Sequence, residues 1–472
     1  MKPADCTIAA NAKRARRDLV LISHENDPAV TTAALVLFAV AIGHAVALNH
    51  GLYSAWAILW VSVGLAIGVI GMIRPTVIAF LENRCLRWVP RIITLCIAIE
   101  AAYITQTLRQ DPEIALPFIV IACAGLFQFF NLRHLRWPLM VIMVLSVYVA
   151  GAIAFKIHPK IVIDVFMFQT RACWALTHGL NPYTFKYPNV YPPGTMFYSP
   201  GIVDANGMLT VGFEYPPLSL LMVLPGYLIG GDIRYSQLLA MALSAGLIVA
   251  ARPGRIPALA ATLLLLMPQS IYILDLSWTE PLLVLTFSLF MFCVCRWARA
   301  MPYALGLYLS TKQYAVLTLP LLPLLISNPQ HLFRVLFKAG LIVALLNMPF
   351  FAMSPHAFLR SVVEFQFLQP FRVDSLSYLV LLHRVFPRWI PPMWILLLFL
   401  LLLLAVMIPL IHRRVARSPA GFAAAVALVH AVFFALNKQA FGNYYYFVIA
   451  TACWSVAVSR SQNGEAPYSS EF

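Results

Sequence analysis

Apolar runs of about the length that crosses a lipid bilayer recur along most of this chain. Roughly 20 apolar residues cross a hydrocarbon core as a helix, and a helix satisfies its own backbone hydrogen bonds there. Of the 472 residues, 61% are hydrophobic and 11% are charged, whereas a soluble domain has roughly 25% charged residues. These values exclude an ordinary soluble enzyme and predict an all-α polytopic membrane protein. The runs are 28–48, 54–73, 91–107, 114–131, 137–155, 217–251, 257–274, 281–297, 303–326, 338–352, 391–411, 420–436 and 445–459.

The basic residues favour one set of the segments between these runs. If residues 1–27 are cytoplasmic and the runs alternate in direction, 21 of the 33 Lys and Arg residues fall on the cytoplasmic side. Basic residues accumulate there in membrane proteins, so the net charge of +15 needs no nucleic acid partner. Ten of the 18 Asp and Glu residues fall on the opposite side. We therefore expect loops 156–216 and 353–390 to be extracytoplasmic, and the tail at 460–472 to be cytoplasmic.

Two runs depart from simple alternation. The run 217–251 is too long for one crossing and is interrupted at 230–232, so we expect a short interfacial or re-entrant element followed by one crossing. The run 303–326 has basic cytoplasmic flanks at both ends, which predicts a hairpin of two short helices with Lys312 at a membrane-embedded tip. Irregular backbone at that depth requires surrounding protein or a watery cavity. The sequence as a whole predicts 12–14 transmembrane helices.

The remaining sequence signals are mostly negative. The eight cysteines are scattered, mostly within apolar runs, so we expect neither a disulfide framework nor a structural metal. A glycine-rich dinucleotide motif and a P-loop are both missing, and no cofactor is expected. The run 28–48 has spanning length and no small-residue cleavage site, which favours a retained first helix over a signal peptide.

Asp164 is the most informative charged residue in the loop 156–216. It follows the run 137–155 by about eight residues and has apolar neighbours, among which a carboxylate is costly unless it has a task or a partner. One interpretation is a general base whose pKa is raised by burial from about 3.9. The other is the N-cap of an amphipathic interfacial helix at 165–177, because Asp is a favoured cap. The two interpretations are compatible, and the residues leave both open.

Several motifs accompany this aspartate in a characteristic order. The same loop carries GLNPYT at 179–184 and EYPPL at 214–218; STKQYAVLTLPLL at 310–322, PFRVDSLSYL at 370–379 and NKQAFGNYYYF at 437–447 follow. The set, which spans roughly 138–458, resembles the GT-C superfamily of membrane glycosyltransferases. It is most similar to the bacterial polyprenyl-phosphate-sugar-dependent branch, which includes mycobacterial mannosyltransferases of phosphatidylinositol mannoside synthesis.

The resemblance implies an architecture and a location. The fold would be a GT-C-like transmembrane bundle with interfacial helices in the outer loop, in the bacterial inner membrane and with an extracytoplasmic active site. In the family the Asp loop usually follows the first transmembrane helix, whereas four further spans precede it here. We therefore expect an accessory four-helix module at 28–136 and a catalytic domain at 137–459.

The resemblance also implies a reaction. The donor would be a polyprenyl-phosphate-linked sugar, such as mannose or another hexose or pentose, because nucleotide sugars are not available on the outer face. Asp164 would deprotonate a hydroxyl of a lipid or glycan acceptor, and the anomeric centre would be inverted, as in the base half of an inverting glycosidase. The alternative from another class is a transporter or flippase for a lipid-linked glycan, and a polymerase or ligase of surface polysaccharide is a neighbouring one.

Cations would stabilise the leaving phosphate in a low-dielectric site. The candidates are Lys312, Arg372 and Lys438, and each has a structural alternative. In these alternatives, Lys312 extends its ammonium group to a membrane interface, Arg372 pairs with Asp374, and Lys438 is an ordinary polar loop residue.

The substrate-binding candidates also have structural alternatives. Aromatic rings suit sugars but also form interfacial belts. Glu214 would orient the acceptor or cap the next helix, and a lone loop His is more often solvated. The candidates are Glu214, Tyr215, His356, Gln439, Tyr183 and Tyr444, with Tyr445 and Tyr446 as further stacking residues. Asp275 and Glu280 are expected to be loop charges. Glu100 lies inside a span and is a functional candidate for that reason.

Overall fold

The computed structural model describes residues 32–73, 89–107, 112–130, 132–159, 161–192, 194–252, 254–267, 270–387 and 392–459. The described part is helical, and its only β pairing consists of isolated bridges. The basic N-terminal segment 1–27, the basic residues between 74 and 88 and the tail 460–472 lie outside it. Predictions about those segments therefore remain predictions.

The helices follow the apolar runs closely. Those before the long loop are α1 (Thr32–Ala47), α2 (Ala55–Ile73), α3 (Val89–Thr107), α4 (Pro112–Gln128) and α5 (Arg136–Ile157). Those up to the hairpin are α6 (Asp164–Thr177), α7 (Pro217–Gly230), α8 (Arg234–Ala251), α9 (Arg255–Leu265), α10 (Ser270–Asp275), α11 (Glu280–Arg296) and α12 (Met301–Leu309). The remainder are α13 (Pro329–Met353), α14 (Pro355–Leu359), α15 (Phe365–Leu368), α16 (Tyr378–Val385), α17 (Met393–Arg414), α18 (Pro419–Ala435) and α19 (Gly442–Val458).

Five of the described helices are long and apolar enough to cross a membrane, namely α2, α5, α8, α13 and α17. Six shorter apolar elements accompany them: α1, most of α4, α7, α9, the 3₁₀ segment Gln313–Leu324 and α18. Large apolar side chains such as Leu401 and Phe337 are exposed on the long helices, as expected where lipid replaces water. The fold is that of an all-helical, multi-pass membrane protein. The count of 12–14 crossings and the GT-C-like arrangement remain predictions.

Both irregular runs are divided where the sequence suggested. The helix α7 ends at Gly230 and is followed by Gly231 in a left-handed conformation with φ +70°, and α8 then begins at Arg234. The run 303–326 forms α12 followed by the 3₁₀ segment Gln313–Leu324, with Lys312 between them in extended conformation. Lys312 therefore lies at the tip of a hairpin, as predicted.

Segments that were predicted to share a side of the membrane contact one another. On the side expected to be extracytoplasmic, Leu52 pairs with Ser375 in an isolated bridge. On the opposite side, the Arg255 guanidinium donates to the Phe129 carbonyl at 3.3 Å. The contacts support the alternation of the runs, whereas the assignment of each end to the cytoplasm or the exterior remains a prediction.

The first helices share one hydrophobic core with the rest of the chain. In α1, Phe38 and Ile42 are buried in the cluster that also contains Ile449 of α19. An added Cβ at Gly43 would meet Met267 and Ile449, so α1 and the last helix approach closely. Glu100 is buried within α3. The segments 28–136 and 137–459 are therefore packed together without a break at residue 136. The division into an accessory module and a catalytic domain remains a prediction.

Candidate active site

Asp164 is the first residue of α6 rather than its N-cap. The extended residue Ile163 occupies the cap position, so the predicted capping role is wrong by one position. The Asp164 Oδ1 atom instead accepts a hydrogen bond from the Val165 backbone N–H at 2.8 Å. A carboxylate in the first turn is stabilised by the positive end of the helix dipole. The helix therefore holds Asp164 in place and leaves the other carboxylate oxygen for other partners.

Two buried polar groups of α6 and α8 fix the position of Asp164. Arg234 is fully buried, and its guanidinium forms an ion pair with Asp232. The guanidinium also donates to the His158 carbonyl at 2.9 Å and lies 5.7 Å from the centroid of the Phe166 ring. Farther along α6, Gln169 donates to the carbonyl of Ser277 at 3.0 Å. Because both groups are satisfied in a buried setting, they restrict α6 to one arrangement. The sequence carried no periodic signal for either contact.

Two tyrosines of the segment 191–198 surround the Asp164 carboxyl group. The Tyr198 hydroxyl donates to Asp164 Oδ2 at 3.3 Å, and the Tyr191 hydroxyl accepts from the Asp164 backbone N–H at 3.4 Å. Burial raises the pKa of Asp164, while hydrogen bonds from Tyr191 and Val165, the charge of Arg372 and the hydrogen bond from Tyr198 oppose the rise. A raised pKa makes a carboxylate a stronger base. Neither tyrosine was predicted from the sequence, because their positions depend on how the long loop folds.

Glu214 lies in the same site and is buried, with 4% of the residue exposed. Gln369 donates to Glu214 Oε2 at 3.2 Å. Burial and, next in size, the negative charge of Asp164 raise the pKa of Glu214 to about 8, against hydrogen bonding from Tyr215 and the charge of Lys312. Glu214 is therefore mostly protonated at neutral pH. The alternative in which it caps α7 is not seen, because Pro216 occupies that cap without a side-chain bond.

Lys312 is buried at the hairpin tip and forms an ion pair with Glu280. Its ammonium also donates to Thr279 Oγ1 at 2.8 Å, and Tyr314 donates to Glu280 Oε1 at 3.1 Å. With 6% residue exposure, Lys312 does not snorkel to an interface. Glu280 has 0% exposure and is the first residue of α11, so its assignment as an ordinary loop charge is wrong.

Three tyrosine rings enclose the Lys312 ammonium at similar distances. The nitrogen lies 5.4 Å from the ring centroid of Tyr215, 5.4 Å from that of Tyr314 and 5.3 Å from that of Tyr444. Aromatic faces stabilise a cation at this distance. Tyr215 and Tyr444 were predicted to bind substrate and do lie at the site. Tyr314 was not predicted as a site residue, although it follows Lys312 by two positions in the sequence.

Arg372 is the second cation near Asp164. Its guanidinium makes a bidentate pair with Asp374 at 2.9 and 2.7 Å, so the structural alternative for this residue is present. The group also lies 4.2 Å from the centroid of Phe197 and 5.0 Å from that of Phe441. Its charge lowers the pKa of Asp164. Arg372 therefore has a structural partner and also acts on the candidate base.

The other predicted site residues have structural partners elsewhere. Lys438 donates to the carbonyls of Phe367 and Gln369 at 3.0 and 2.6 Å, and burial lowers its pKa to about 8. Gln439 donates to the Pro370 carbonyl at 3.0 Å. These two side chains hold the segment that carries Arg372, and their assignment to direct phosphate or substrate binding has no support in the geometry.

The remaining aromatic and histidine candidates also differ from expectation. Tyr183 is buried against Phe213, Phe350 and Phe358, and its hydroxyl donates to the Tyr215 carbonyl at 2.8 Å. Tyr183 therefore stabilises the EYPPL segment, and its ring is too deeply buried to stack on a sugar. Tyr445 and Tyr446 are core residues of α19. His356 is exposed on the short helix α14, and none of the described contacts joins it to Asp164, Glu214 or Lys312.

Five ionisable residues, hereafter the polar cluster, thus come together from distant parts of the chain. They are Asp164, Glu214, Glu280, Lys312 and Arg372. The cluster combines a carboxyl group with a raised pKa, a largely protonated carboxyl group and two cations that lie beside aromatic rings. Within the described residues, no group of three or more His, Cys, Asp or Glu side chains is arranged to hold a metal ion. The arrangement is suited to accepting a proton beside a bound anion.

Comparisons with protein-family models, with curated proteins and with solved structures found no match for this chain.

Proposed function

We propose that the protein is a membrane glycosyltransferase that moves a sugar from a polyprenyl-phosphate donor to a hydroxyl of a lipid or glycan acceptor. The observation that carries the proposal is the position of Asp164. Its carboxyl group has a raised pKa and lies within the electrostatic influence of Arg372. Lys312 acts on the neighbouring Glu214. A base and cations in one site are what glycosyl transfer from a phosphate leaving group requires.

In the proposed reaction, Asp164 accepts the proton of the acceptor. The acceptor hydroxyl takes the place of the Tyr198 hydroxyl at Asp164 Oδ2 and gives its proton to that oxygen. The acceptor oxygen then bonds to the anomeric carbon, the bond between that carbon and the phosphate oxygen breaks, and the electron pair stays on the phosphate. Attack from the face opposite the phosphate inverts the centre. No separate acid is needed, because the phosphate leaves as an anion.

The other members of the polar cluster have supporting roles in this proposal. Lys312 and Arg372 stabilise the negative charge that develops on the phosphate. Protonated Glu214 donates a hydrogen bond to a substrate oxygen without adding negative charge. Tyr444 is partly exposed, and its ring centroid lies 5.3 Å from the Lys312 ammonium.

The decisive test compares Asp164→Asn with wild type in purified, reconstituted protein. Asparagine keeps the shape and accepts the Val165 N–H but takes no proton at neutral pH. We expect sugar transfer from polyprenyl-phosphate mannose or a pool of other polyprenyl-phosphate sugars to fall at least 100-fold, because a general base typically contributes about 10²- to 10⁴-fold. Donor binding and the melting temperature should stay near the wild-type values.

Asp204→Asn is the matched control. Asp204 lies in the same loop and caps a turn through hydrogen bonds from the Asn206 and Met208 backbones, away from the described contacts of Asp164. This variant should transfer sugar like wild type. Full activity of Asp164→Asn would reject the assignment of the base. Movement of a lipid-linked sugar across vesicles by wild type, without any transfer, would favour a transporter.

A further inference from the structure

The charges around the polar cluster are unequal. The polar cluster together with Asp374, which pairs with Arg372, has two cations and four carboxyl groups. The cations are Lys312 and Arg372, and the carboxyl groups are those of Asp164, Glu214, Glu280 and Asp374. Even with Glu214 protonated, three negative charges face two positive ones. Both cations are already paired with a carboxylate of the protein. An anionic ligand therefore meets cations whose charge is largely balanced.

Glu280 is the most constrained of these counter-charges. It is fully buried, its Oε1 atom contacts Lys312 and Tyr314, and its Oε2 atom is buried without a hydrogen-bond partner among the described residues. Lys312 in turn is held by three tyrosine rings and by Thr279. Separating the pair would leave a buried charge without its partner, which is costly. Glu280 thus remains beside Lys312 when a phosphate approaches.

We propose that the polar cluster selects singly charged phosphodiesters over doubly charged phosphomonoesters, and that Glu280 is the residue that determines this selectivity. The inference rests on the proposed function and specifies its ligand chemistry. A sugar-linked polyprenyl phosphate is a diester with one negative charge. After transfer, the acceptor proton is on Asp164 and the leaving polyprenyl phosphate is a monoester with two charges. Once Asp164 has released that proton to water, the carboxylates repel this doubly charged product more than the singly charged donor, which favours its release.

The test uses two probes that differ by one charge, farnesyl phosphate and its methyl diester. At pH 7.5 the monoester is mostly a dianion, because the second pKa of a phosphate ester is about 6. We expect wild-type protein in nanodiscs to bind the diester about tenfold or more tightly than the monoester, a difference of about 1.4 kcal/mol or more. Titration calorimetry or displacement of a fluorescent prenyl probe measures both dissociation constants.

Glu280→Gln removes the buried counter-charge and keeps the side-chain shape. We expect it to tighten monoester binding by about tenfold relative to diester binding, because one repelling charge close to the phosphate is lost. Glu364→Gln is the control, since Glu364 is an exposed carboxylate on the same predicted side; its preference should match that of wild type. Glu280→Asp keeps the charge and should keep the preference.

The possible outcomes distinguish failure of the selectivity from failure of the proposed function. Equal binding of the two probes by wild type, or tighter binding of the monoester, rejects the selectivity and leaves the transferase proposal in place. A folded Glu280→Gln variant that keeps the full preference rejects the role of Glu280 in the same way. If neither probe binds at millimolar concentration, the phosphate-lipid donor itself is rejected. The wild-type comparison remains decisive even if Glu280→Gln does not fold.

Discussion

At the scale of single residues, the carboxyl group of Glu214 has an environment that links folding to pH. Its pKa is about 8 in the folded protein against an ordinary value of 4.5, chiefly because of burial and secondly because of Asp164. Between these values the folded protein retains a proton that the unfolded chain releases. The resulting stability is fully present below about pH 4.5 and is lost as the pH rises through 8. Asp164, whose pKa is also raised, acts in the same direction.

Glu214→Gln should therefore flatten the pH dependence of stability. We expect the melting temperature of wild type to fall between pH 5 and pH 8, and that of Glu214→Gln to fall less and to exceed the wild-type value above pH 8. Differential scanning fluorimetry in detergent from pH 5 to pH 9 measures both curves. The exposed Glu364→Gln should follow wild type. A Glu214→Gln curve parallel to that of wild type would contradict the proton assignment.

At the scale of elements, the turn between α1 and α2 is tied to the segments that carry the site. The Tyr53 backbone N–H donates to the Asp374 carbonyl at 2.9 Å, next to the bridge between Leu52 and Ser375. Gly51 adopts a φ of +76° and lies against the backbone of Gly442 at the start of α19. The first two helices therefore support the loop that presents Arg372, whatever further role the 28–136 segment has.

Gly51→Ala should disrupt this connection, because the added Cβ would overlap the Gly442 backbone. Gly179→Ala is a matched control: Gly179 has a φ of +73°, but no atom lies near its added Cβ. Alanine in this left-handed conformation costs roughly 1–2 kcal/mol at either position, and crowding adds about 1–3 kcal/mol at Gly51 alone. The melting temperature in detergent should fall clearly further for Gly51→Ala. Equal falls would mean that the turn moves freely away from α19.

At the scale of the whole molecule, the two ends of the bundle differ in chemical character. One end carries the carboxylates and tyrosines of the polar cluster. The opposite end contains basic side chains such as Arg252 and Arg296, which donate to the carbonyls of Ser459 and Ala251. The concentration of basic residues predicts that this opposite end faces the cytoplasm. The proposed donor, a flipped lipid-linked sugar, requires that orientation.

A membrane-impermeant thiol reagent tests the orientation in cells that express a cysteine-free variant. Met196→Cys places a thiol at a residue with 76% exposure on the predicted outer side, and it should be labelled in intact cells. Arg417→Cys, which is exposed at the opposite end, should be labelled only after the membrane is made permeable. The reverse pattern would overturn the orientation and with it the access of an extracytoplasmic donor.

Local sequence patterns were sufficient to predict the helical, multi-pass class and the placement of most helices. Apolar runs in a bilayer must satisfy their own backbone hydrogen bonds, so run length and composition lead directly to helices. The break at 230–232 and the hairpin tip at Lys312 were also predictable, because glycines and basic flanks are local signals. Among the site residues, Asp164, Tyr215, Lys312 and Arg372 were selected from local pattern together with the family resemblance.

The contacts among these groups, in contrast, became known only from the folded chain. Glu280 pairs with Lys312 from a position 32 residues earlier in the chain, and Tyr198 reaches Asp164 across 34 residues of loop. Lys438 and Tyr183 are instead occupied by backbone carbonyls and core packing. Contacts of this kind depend on how irregular loops fold over the bundle, and loop conformation follows from many small, non-local interactions with no periodic signature in the sequence.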